Sequence, residues 1–351
     1  MTARVLSARE LNRATLARQL LLRRARLSVP RAVGRTAGLQ AQYSPSPYIG
    51  LWSRVEGFRI EALERALRRG AVVKASLMRR TLHLVAAADH PAFAAALLPW
   101  FATQWRRWYR RDDDVPGIEE LTRRAIEHAR AEPRTKAEMH ELLRTLAPGE
   151  DPQALWWRVQ TCAPFVEVPP SGTWRYFGKA RFAPAGRLTS HVDALARLAE
   201  SYLRGFGPAT RADLSNWCGP SITDFRPGLE VLEPRLRRFR DERGRELIDV
   251  ARAPLPAGDA PAPPRFLPKW DNVLLANADR SRTLPPEYRE AVYNPKNGDV
   301  APTFLVDGRV AGAWRTEGAR VRLEPFAPLP RRVRRELEAE AWRLEGFLDR
   351  R

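Results

Sequence analysis

The sequence predicts an α+β, mainly α-helical protein with three helix-rich units, each carrying a small β-wing, and then a smaller strand-rich domain. Three observations support this prediction. One helix-start pattern recurs three times, aromatic and β-branched runs follow the helices, and short strands dominate beyond a proline-rich segment. The four parts are predicted at residues 1–115, 116–195, 196–262 and 263–351.

The recurring pattern is a hydroxyl residue followed three positions later by an acid and then by an apolar residue. The hydroxyl can accept a hydrogen bond from the first turn of a helix, and the acid favours the positive helix end. Turn-forming prolines precede the second and third copies, as in helix-turn-helix units. The three copies are Ser7–Glu10, Thr135–Glu138 and Thr210–Asp213.

Periodicity predicts the remaining elements of the first two units. Helices are predicted at 11–27, 31–41 and 61–69, and strands at 72–77 and 81–85 joined by Met78-Arg79-Arg80. In the second unit, 165–168 and 173–177 flank a Pro-Pro-Ser-Gly turn and predict the hairpin of a winged helix.

The pattern changes after Pro254, where LPAGDAPAPP has the composition of a linker. Strands are predicted at 273–275, 303–306, 310–314 and 321–323, and a charged helix at 331–348 closes the chain. Asp307-Gly308 between two of these strands indicates a tight hairpin.

The charge points to a polyanionic partner. The 351 residues carry a formal net charge of +19, from 60 basic and 41 acidic residues. Only five of the basic residues are lysine, and an arginine excess can reflect a GC-rich genome. That bias would not lower the acidic count, so the surplus still favours nucleic-acid binding.

Composition excludes several other classes. The two cysteines, Cys162 and Cys218, form no disulfide framework or zinc ribbon, and the five histidines lack ligand spacing, so no metal is expected. No segment has a signal peptide's apolar core or the roughly 18 apolar residues of a membrane span. A cytoplasmic, nucleoid-associated protein with no membrane partner is therefore expected.

Two glutamines are the first candidates for chemistry. Gln40 and Gln42 flank Ala41 at the end of the predicted 31–41 helix, just before the stiff turn Ser44-Pro45-Ser46-Pro47. Helical geometry breaks there, so both amides could point into one cleft. The alternative interpretation is an ordinary polar helix terminus.

These glutamines and further motifs resemble the bacterial AlkZ-like family of tandem winged-helix DNA glycosylases, and the similarity covers nearly the whole chain. The motifs are Gly38-Leu39-Gln40-Ala41-Gln42, Tyr48–Val55, Leu77–Val85, Gly207–Leu214, Trp270–Leu275, Leu305–Gly308 and Gly312–Trp314.

The resemblance implies three winged helices and a C-terminal β-barrel, with Gln40 and Gln42 as the catalytic motif. A sister branch has Gln-x-Asp, so Gln42 assigns this chain to the Gln-x-Gln branch. The implied activity is hydrolysis of the N-glycosidic bond of alkylated purines in duplex DNA, including crosslink unhooking, by a monomer without cofactor. Arg80 stands where a smaller residue is expected, which leaves the hairpin tip open.

Neutral amides suit this chemistry. A purine alkylated at N7 or N3 is already cationic and leaves without a proton, whereas glycosidic hydrolysis ordinarily needs an acid and a base. The remaining task is to place water below C1′, for which an amide carbonyl can accept and its NH₂ can hold a phosphate or sugar oxygen. We assign the water to Gln42 and its support to Gln40. Lys74, the nearby lysine, does not suggest lyase chemistry.

Two basic segments are candidate DNA contacts. A hairpin with Arg79, Arg80, Thr81 and His83 could enter a groove, or it could be a wing strand with Leu82 and Leu84 in the core. The run 100–111 interleaves tryptophan with arginine; the favoured interpretation is an amphipathic helix that buries Phe101, Trp105 and Trp108. Its solvated Arg106, Arg107, Arg110 and Arg111 could then hold phosphates.

Four further residues are assigned structural roles. Trp156, Trp157 and Trp217 are predicted core residues, and Asp271 is predicted to be a cap rather than a catalytic acid.

The alternative function is a non-catalytic winged-helix transcription regulator. It explains the charge and the helix-start patterns equally well, but not the Gln40–Gln42 pair, and no heptad seam for dimerisation is present. A basic RNA-associated protein is a third class, for which no RNA-module motif is found.

Overall fold

The computed structural model describes residues 3–110, 114–318 and 320–349. These ranges contain 13 α-helices and 15 strands arranged in four sheets. No helix in them is long and apolar enough to cross a membrane.

The N-terminal part ends in two strands and a long helix. A 3₁₀ turn, Met78–Arg80, separates those strands. The elements are β1 (Val5–Leu6), α1 (Ala8–Arg18), α2 (Val29–Arg35), β2 (Leu39–Gln40), α3 (Ser46–Arg54), α4 (Ile60–Arg68), β3 (Val72–Ser76), β4 (Leu82–Ala86) and α5 (His90–Tyr109).

The middle of the chain contains two further helix-rich stretches. The first has α6 (Ile118–Ala131), β5 (Arg134–Thr135), α7 (Lys136–Leu146), α8 (Pro152–Cys162), β6 (Phe165–Val168) and β7 (Arg181–Pro184). The second has α9 (His191–Phe206), α10 (Arg211–Cys218), α11 (Ile222–Leu232), β8 (Leu236–Asp241) and β9 (Glu246–Val250).

The C-terminal part is built mainly of strands. Its elements are β10 (Arg265–Leu267), α12 (Arg289–Val292), β11 (Tyr293–Asn294), β12 (Asp299–Val300), β13 (Thr303–Val306), β14 (Arg309–Glu317), β15 (Arg320–Pro325) and α13 (Arg331–Leu348). The predicted Asp307-Gly308 turn joins β13 to β14, and the predicted closing helix is confirmed as α13.

Two sheets join parts of the chain that are distant in sequence. The largest has the order β2-β4-β3-β6-β7-β5, and Lys74 on β3 pairs with Glu167 on β6. β1 pairs in parallel with β8, opposite Arg240 and Asp241. The predicted units therefore share sheets rather than standing apart.

The predicted helix starts are confirmed. Ser7, Thr135 and Thr210 each accept from the backbone of the third helical residue, whose side chain accepts from the cap in return. These boxes begin α1, α7 and α10.

Two predicted helices end earlier than expected. α1 stops at Arg18 instead of Leu27, and α2 stops at Arg35 instead of Ala41. Each ends with a residue in the left-handed region, Leu20 at φ 59° and Ala37 at φ 58°, after which the next N–H bonds back to Leu16 or Val33. These are Schellman ends without the usual glycine, so the sequence carries no stop signal.

Other predicted strands are wrong. Residues 173–177 were predicted to be the second strand of a hairpin with 165–168, but they form turns. The strand that pairs with β6 is β7, Arg181–Pro184, which lies farther along the chain. Residues 273–275 overlap a 3₁₀ turn, Asn272–Leu274, which Asp271 caps as predicted by accepting from the Val273 N–H. The described C-terminal strands form an open sheet, β10-β13-β14-β15, where a closed barrel was predicted.

One apolar core positions the hairpin formed by β3 and β4. Leu77, Met78 and Val85 of this hairpin are buried with Phe93 of α5 and Trp217 of α10. The 3₁₀ turn at its tip therefore lies against α10 and close to β2. Trp156 and Trp157 lie in a second core, as predicted.

Candidate active site

Gln40 ends strand β2 and Gln42 lies two residues beyond it in a bend, so neither stands at a helix end, which corrects the predicted setting. β2 pairs antiparallel with β4, so Gln40 lies opposite His83, and the Ala41 N–H donates to the Leu82 carbonyl at 2.7 Å. Gln42 lies outside β2, so strand geometry does not set its direction relative to Gln40, and the common orientation of the two amides stays a prediction.

The orientation of each amide follows from its donor. The Arg79 guanidinium donates to Gln40 Oε1 at 3.2 Å, and the Leu82 N–H donates to Gln42 Oε1 at 3.3 Å. Only an amide oxygen can accept from these groups, so both NH₂ groups point away from them. No hydrogen bond within the described chain engages either amide nitrogen.

The two glutamines differ in exposure and in the charge of their hydrogen-bond donors. Gln40 is buried, with 7% of its surface exposed, and its partner is a charged donor. Gln42 is exposed and accepts from a neutral backbone group. Gln42 can therefore turn its carbonyl outward at lower cost than Gln40 can.

The hairpin tip places two arginines in an unusual backbone conformation. Arg79 and Arg80 have φ of 52° and 58°, in the left-handed region that non-glycine residues rarely adopt. The Leu77 N–H donates to the Thr81 carbonyl, and the Arg80 N–H donates to the Leu77 carbonyl at 2.7 Å. This closed turn directs the two arginine side chains to different neighbours.

Those neighbours lie on α10 and α8. Arg79 turns inward and donates to the Trp217 carbonyl as well as to Gln40. Arg80 lies over the Trp157 ring, with its guanidinium carbon 3.1 Å from the ring centroid. Burial lowers the pKa of both Arg79 and Arg80 to about 10, so both are charged at neutral pH.

Two of the predicted DNA contacts on this hairpin turn inward. His83 has no exposed surface, and its Nδ1 lies 2.9 Å from the Thr81 carbonyl, so the predicted direct contact with DNA is wrong for this residue. The cause is that β4 is covered on both faces. Thr81 is half-buried and donates from Oγ1 to the Met78 carbonyl at 3.1 Å, which closes the turn.

The end of α5 presents the second predicted basic surface. Arg106, Arg107 and Arg110 are exposed, while Arg111 lies outside the described residues. Phe101 and Trp105 are buried as predicted, but 74% of Trp108 is exposed, because it projects from the last turn beyond the core. Its ring lies 6.2 Å from that of Trp157, so this surface continues to Arg80.

The described residues offer little for metal or Schiff-base chemistry. No group of three or more His, Cys, Asp or Glu side chains in them could hold a metal ion. Lys74 is buried in an ion pair with Glu167 at 2.8 Å, so its amine is not an available nucleophile.

Some groups at the site could not be found from sequence. The Leu82 N–H and the Trp217 carbonyl are backbone atoms with no residue signature, and Trp157 was predicted only as core. Tyr43 follows Gln42 and lies 5.9 Å from the ring of Phe177, at the edge of a cleft of about 630 Å³. The signal available in the sequence was that Tyr43 directly follows Gln42.

These features define a class: a strongly basic protein suited to a polyanionic partner, with one buried and one exposed glutamine amide beside an arginine-bearing hairpin. Comparison with known proteins identifies the family within this class. The family described as DNA glycosylase AlkZ-like matches residues 33–347. The chain therefore belongs to this family of DNA glycosylases.

Two relatives span almost the whole chain. An interstrand DNA cross-link repair glycosylase from Streptomyces sahachiroi is 25% identical over 354 residues, covering 92% of each chain. The solved structure of Streptomyces sahachiroi DNA glycosylase AlkZ matches with a TM-score of 0.80 and 22% identity over 97% of each chain. This structural likeness shows the shared fold.

Proposed function

We propose that this glycosylase hydrolyses the N-glycosidic bond of purines alkylated at N7 or N3 in duplex DNA, with Gln40 and Gln42 at its active centre. The observation that carries the proposal is that both amides accept from the arginine-bearing hairpin, at Arg79 and at the Leu82 N–H, and that neither NH₂ group has a partner in the described chain. The three helix-rich units are tandem winged helices, with boundaries at 1–115, 116–195 and 196–262, followed by a C-terminal domain at 263–351 that is built on an open sheet.

The roles of the two amides follow from their environments. Gln40, fixed by a cationic donor, presents its NH₂ to a phosphate or sugar oxygen of the damaged nucleotide. Gln42 can release the Leu82 N–H and offer its carbonyl to the attacking water. The cationic base leaves without protonation, so positioning of water is the main catalytic contribution.

The DNA surface is the hairpin tip together with the end of α5. Arg80, Arg106, Arg107 and Arg110 are the phosphate contacts, and a net charge of +19 favours a polyanion. Arg79, Thr81 and His83 support the tip from within. A duplex substrate assigns the protein to the nucleoid, where it acts as a monomer.

Crosslinked purines are within the proposed substrate range. The Streptomyces sahachiroi relative is named as an interstrand cross-link repair glycosylase. Gln42 is exposed, so the damaged base of the substrate can remain at the duplex surface during the reaction. A bulky adduct or a second strand has room there. Since Lys74 is paired with Glu167, the reaction ends at an abasic site without strand cleavage.

The decisive experiment measures release of 7-methylguanine from labelled duplex DNA, together with unhooking of a nitrogen-mustard crosslinked duplex. The Gln42→Ala variant should lose activity on both while its Kd for DNA changes little. Gln153→Ala, on α8, is the matched control and should keep full activity. Salt-sensitive DNA binding without release from either duplex would favour the transcription-regulator alternative.

A further inference from the structure

Arg79 has an environment that DNA contact alone does not explain. Its side chain is half-buried and burial lowers its pKa to about 10, yet none of the ion pairs within 4 Å in the described chain involves it. A charge partly withdrawn from water without a counter-ion is costly. Its partners are instead one backbone carbonyl, that of Trp217, and one side chain, the amide of Gln40.

The Trp217 carbonyl partly replaces the missing counter-ion. Trp217 lies in the last turn of α10, where backbone carbonyls have no helical partner and the helix end is negative. A cation at this end is therefore stabilised. The same contact holds the guanidinium at a fixed position between α10 and β2.

The contact with Gln40 selects one of two amide orientations. Rotating an amide by 180° exchanges oxygen for NH₂ at little intrinsic cost, so an unconstrained glutamine presents either group. A charged donor on one side forbids the orientation that would place NH₂ against it. The donor also withdraws electron density from the carbonyl, which strengthens the opposite N–H groups as donors.

We propose that Arg79 is a positioning residue that acts through Gln40, holding its amide with NH₂ toward the substrate and making this orientation depend on the docking of α10. This inference rests on the proposed function of Gln40. It replaces the sequence-based assignment of Arg79 to direct DNA contact.

The test combines single-turnover rates with DNA affinity in a double-mutant cycle. Arg79→Met should lower the single-turnover rate on the order of ten- to a hundredfold, because a hydrogen bond to a charged group is lost, with Kd for DNA within about twofold. In the Gln40→Ala background, Arg79→Met should have no further effect on the rate. Multiplicative effects in the cycle, or a Kd weakened in proportion to the rate, would overturn the proposal.

Two variants separate this role from a general loss of folding. Arg265→Met is the matched control, since burial also lowers the pKa of Arg265 to about 10 and its partners, the Pro264 carbonyl and Glu340, do not include either glutamine. It should reduce stability but leave the rate within about twofold. Gln40→Glu keeps the contact with Arg79 but removes the NH₂, so it should be folded and as slow as Gln40→Ala. Rates near that of the parent would contradict the proposal.

A spectroscopic measurement tests the contact when activity fails. The chain has six glutamines, so ¹⁵N-glutamine labelling gives few side-chain amide signals, and Gln40→Ala identifies that of Gln40. Arg79→Met should shift this signal, whereas Arg265→Met should not. If Arg79→Met shifts the Gln40 signal but the parent protein releases no alkylated base, the contact is supported and the proposed function is refuted. If the Gln40 signal does not move, the contact is refuted.

Discussion

The two glutamines show how a neutral residue type gains direction from its neighbours. Nothing in the chemistry of a glutamine decides which end of its amide faces a substrate. Here a guanidinium and a backbone N–H hold the two oxygens, and both NH₂ groups are left free. The different exposure of Gln40 and Gln42 then separates a fixed amide from one that can turn.

His83 makes stability depend on pH. Burial, and secondarily the charge of Arg79, lowers its pKa to about 3, whereas in the unfolded chain a histidine titrates near about 6.5. Below pH ~6.5 the unfolded state therefore binds a proton that the folded state excludes. The stabilising contribution is complete above ~6.5 and is lost as the pH falls toward 3.

We expect this residue to lower the free energy of unfolding by about 2 kcal/mol between pH 6.5 and 5. His83→Phe should remove that part of the slope in urea titrations at each pH. His90, whose pKa burial lowers to about 4, should maintain a similar slope in the variant. An unchanged slope in His83→Phe would show that the native imidazole is protonated over this range.

At the residue scale, the sequence singles out two glutamines as candidates but does not show which groups hold their amides. Gln40 and Gln42 stand out because of their spacing and the motifs around them. His83 was assigned to the surface because strand alternation gives two faces without telling which is covered. The partners of the two amides include the Leu82 N–H, a backbone group that any residue would provide.

At the element scale, helix starts were predictable and helix ends were not. Ser7, Thr135 and Thr210 carry side-chain chemistry that satisfies the first turn, so the signal is local and readable. Leu20 and Ala37 adopt the left-handed conformation that usually needs glycine. Tertiary packing supports those ends, and packing is not written in a local pattern.

The box at Thr210 offers a test at this scale. Thr210 begins α10, whose other end contacts Arg79, and its hydroxyl both accepts from the Asp213 N–H at 3.1 Å and donates to the Asp213 carboxylate. Thr210→Ala should lower the free energy of unfolding by about 1 kcal/mol in urea denaturation. Thr210→Ser retains the hydroxyl and should cost much less; an equal loss in both variants would exclude the cap as the cause.

At the scale of the whole molecule, the chain is held together by contacts between distant segments. The strand order joins β3 to β6 and β1 to β8, pairings that no local pattern specifies. The sequence therefore predicts helix-rich units and a strand-rich end, but not the sheets they share. The hairpin at Asp307-Gly308 was predicted as a turn, and its docking on α1 was not.

That docking is dense and polar. Asn12 donates from Nδ2 to the Gly308 carbonyl at 2.8 Å, and Arg13 donates to the Asp307 carbonyl at 3.0 Å. Arg13 and Arg9 also form ion pairs with the Asp307 carboxylate. The first helix of the chain thereby fixes the C-terminal sheet, and through it the orientation of the two ends of the molecule.

Gly308 permits a matched test of this docking. Its φ is 77°, and a Cβ there would lie 2.5 Å from Asn12 Oδ1 and 2.6 Å from Leu16 Cδ1, both in buried side chains. Gly244, in the turn between β8 and β9, has nearly the same φ of 76° but no atom within 4 Å of such a Cβ. Alanine at either position has the same backbone strain, about 1 kcal/mol, and the steric conflict arises at Gly308 alone.

Gly308→Ala should therefore lower the free energy of unfolding by about 1–3 kcal/mol more than Gly244→Ala does, measured by urea denaturation. Equal losses would mean that the hairpin can move off α1 without cost, so that this contact does not hold the two ends of the chain together.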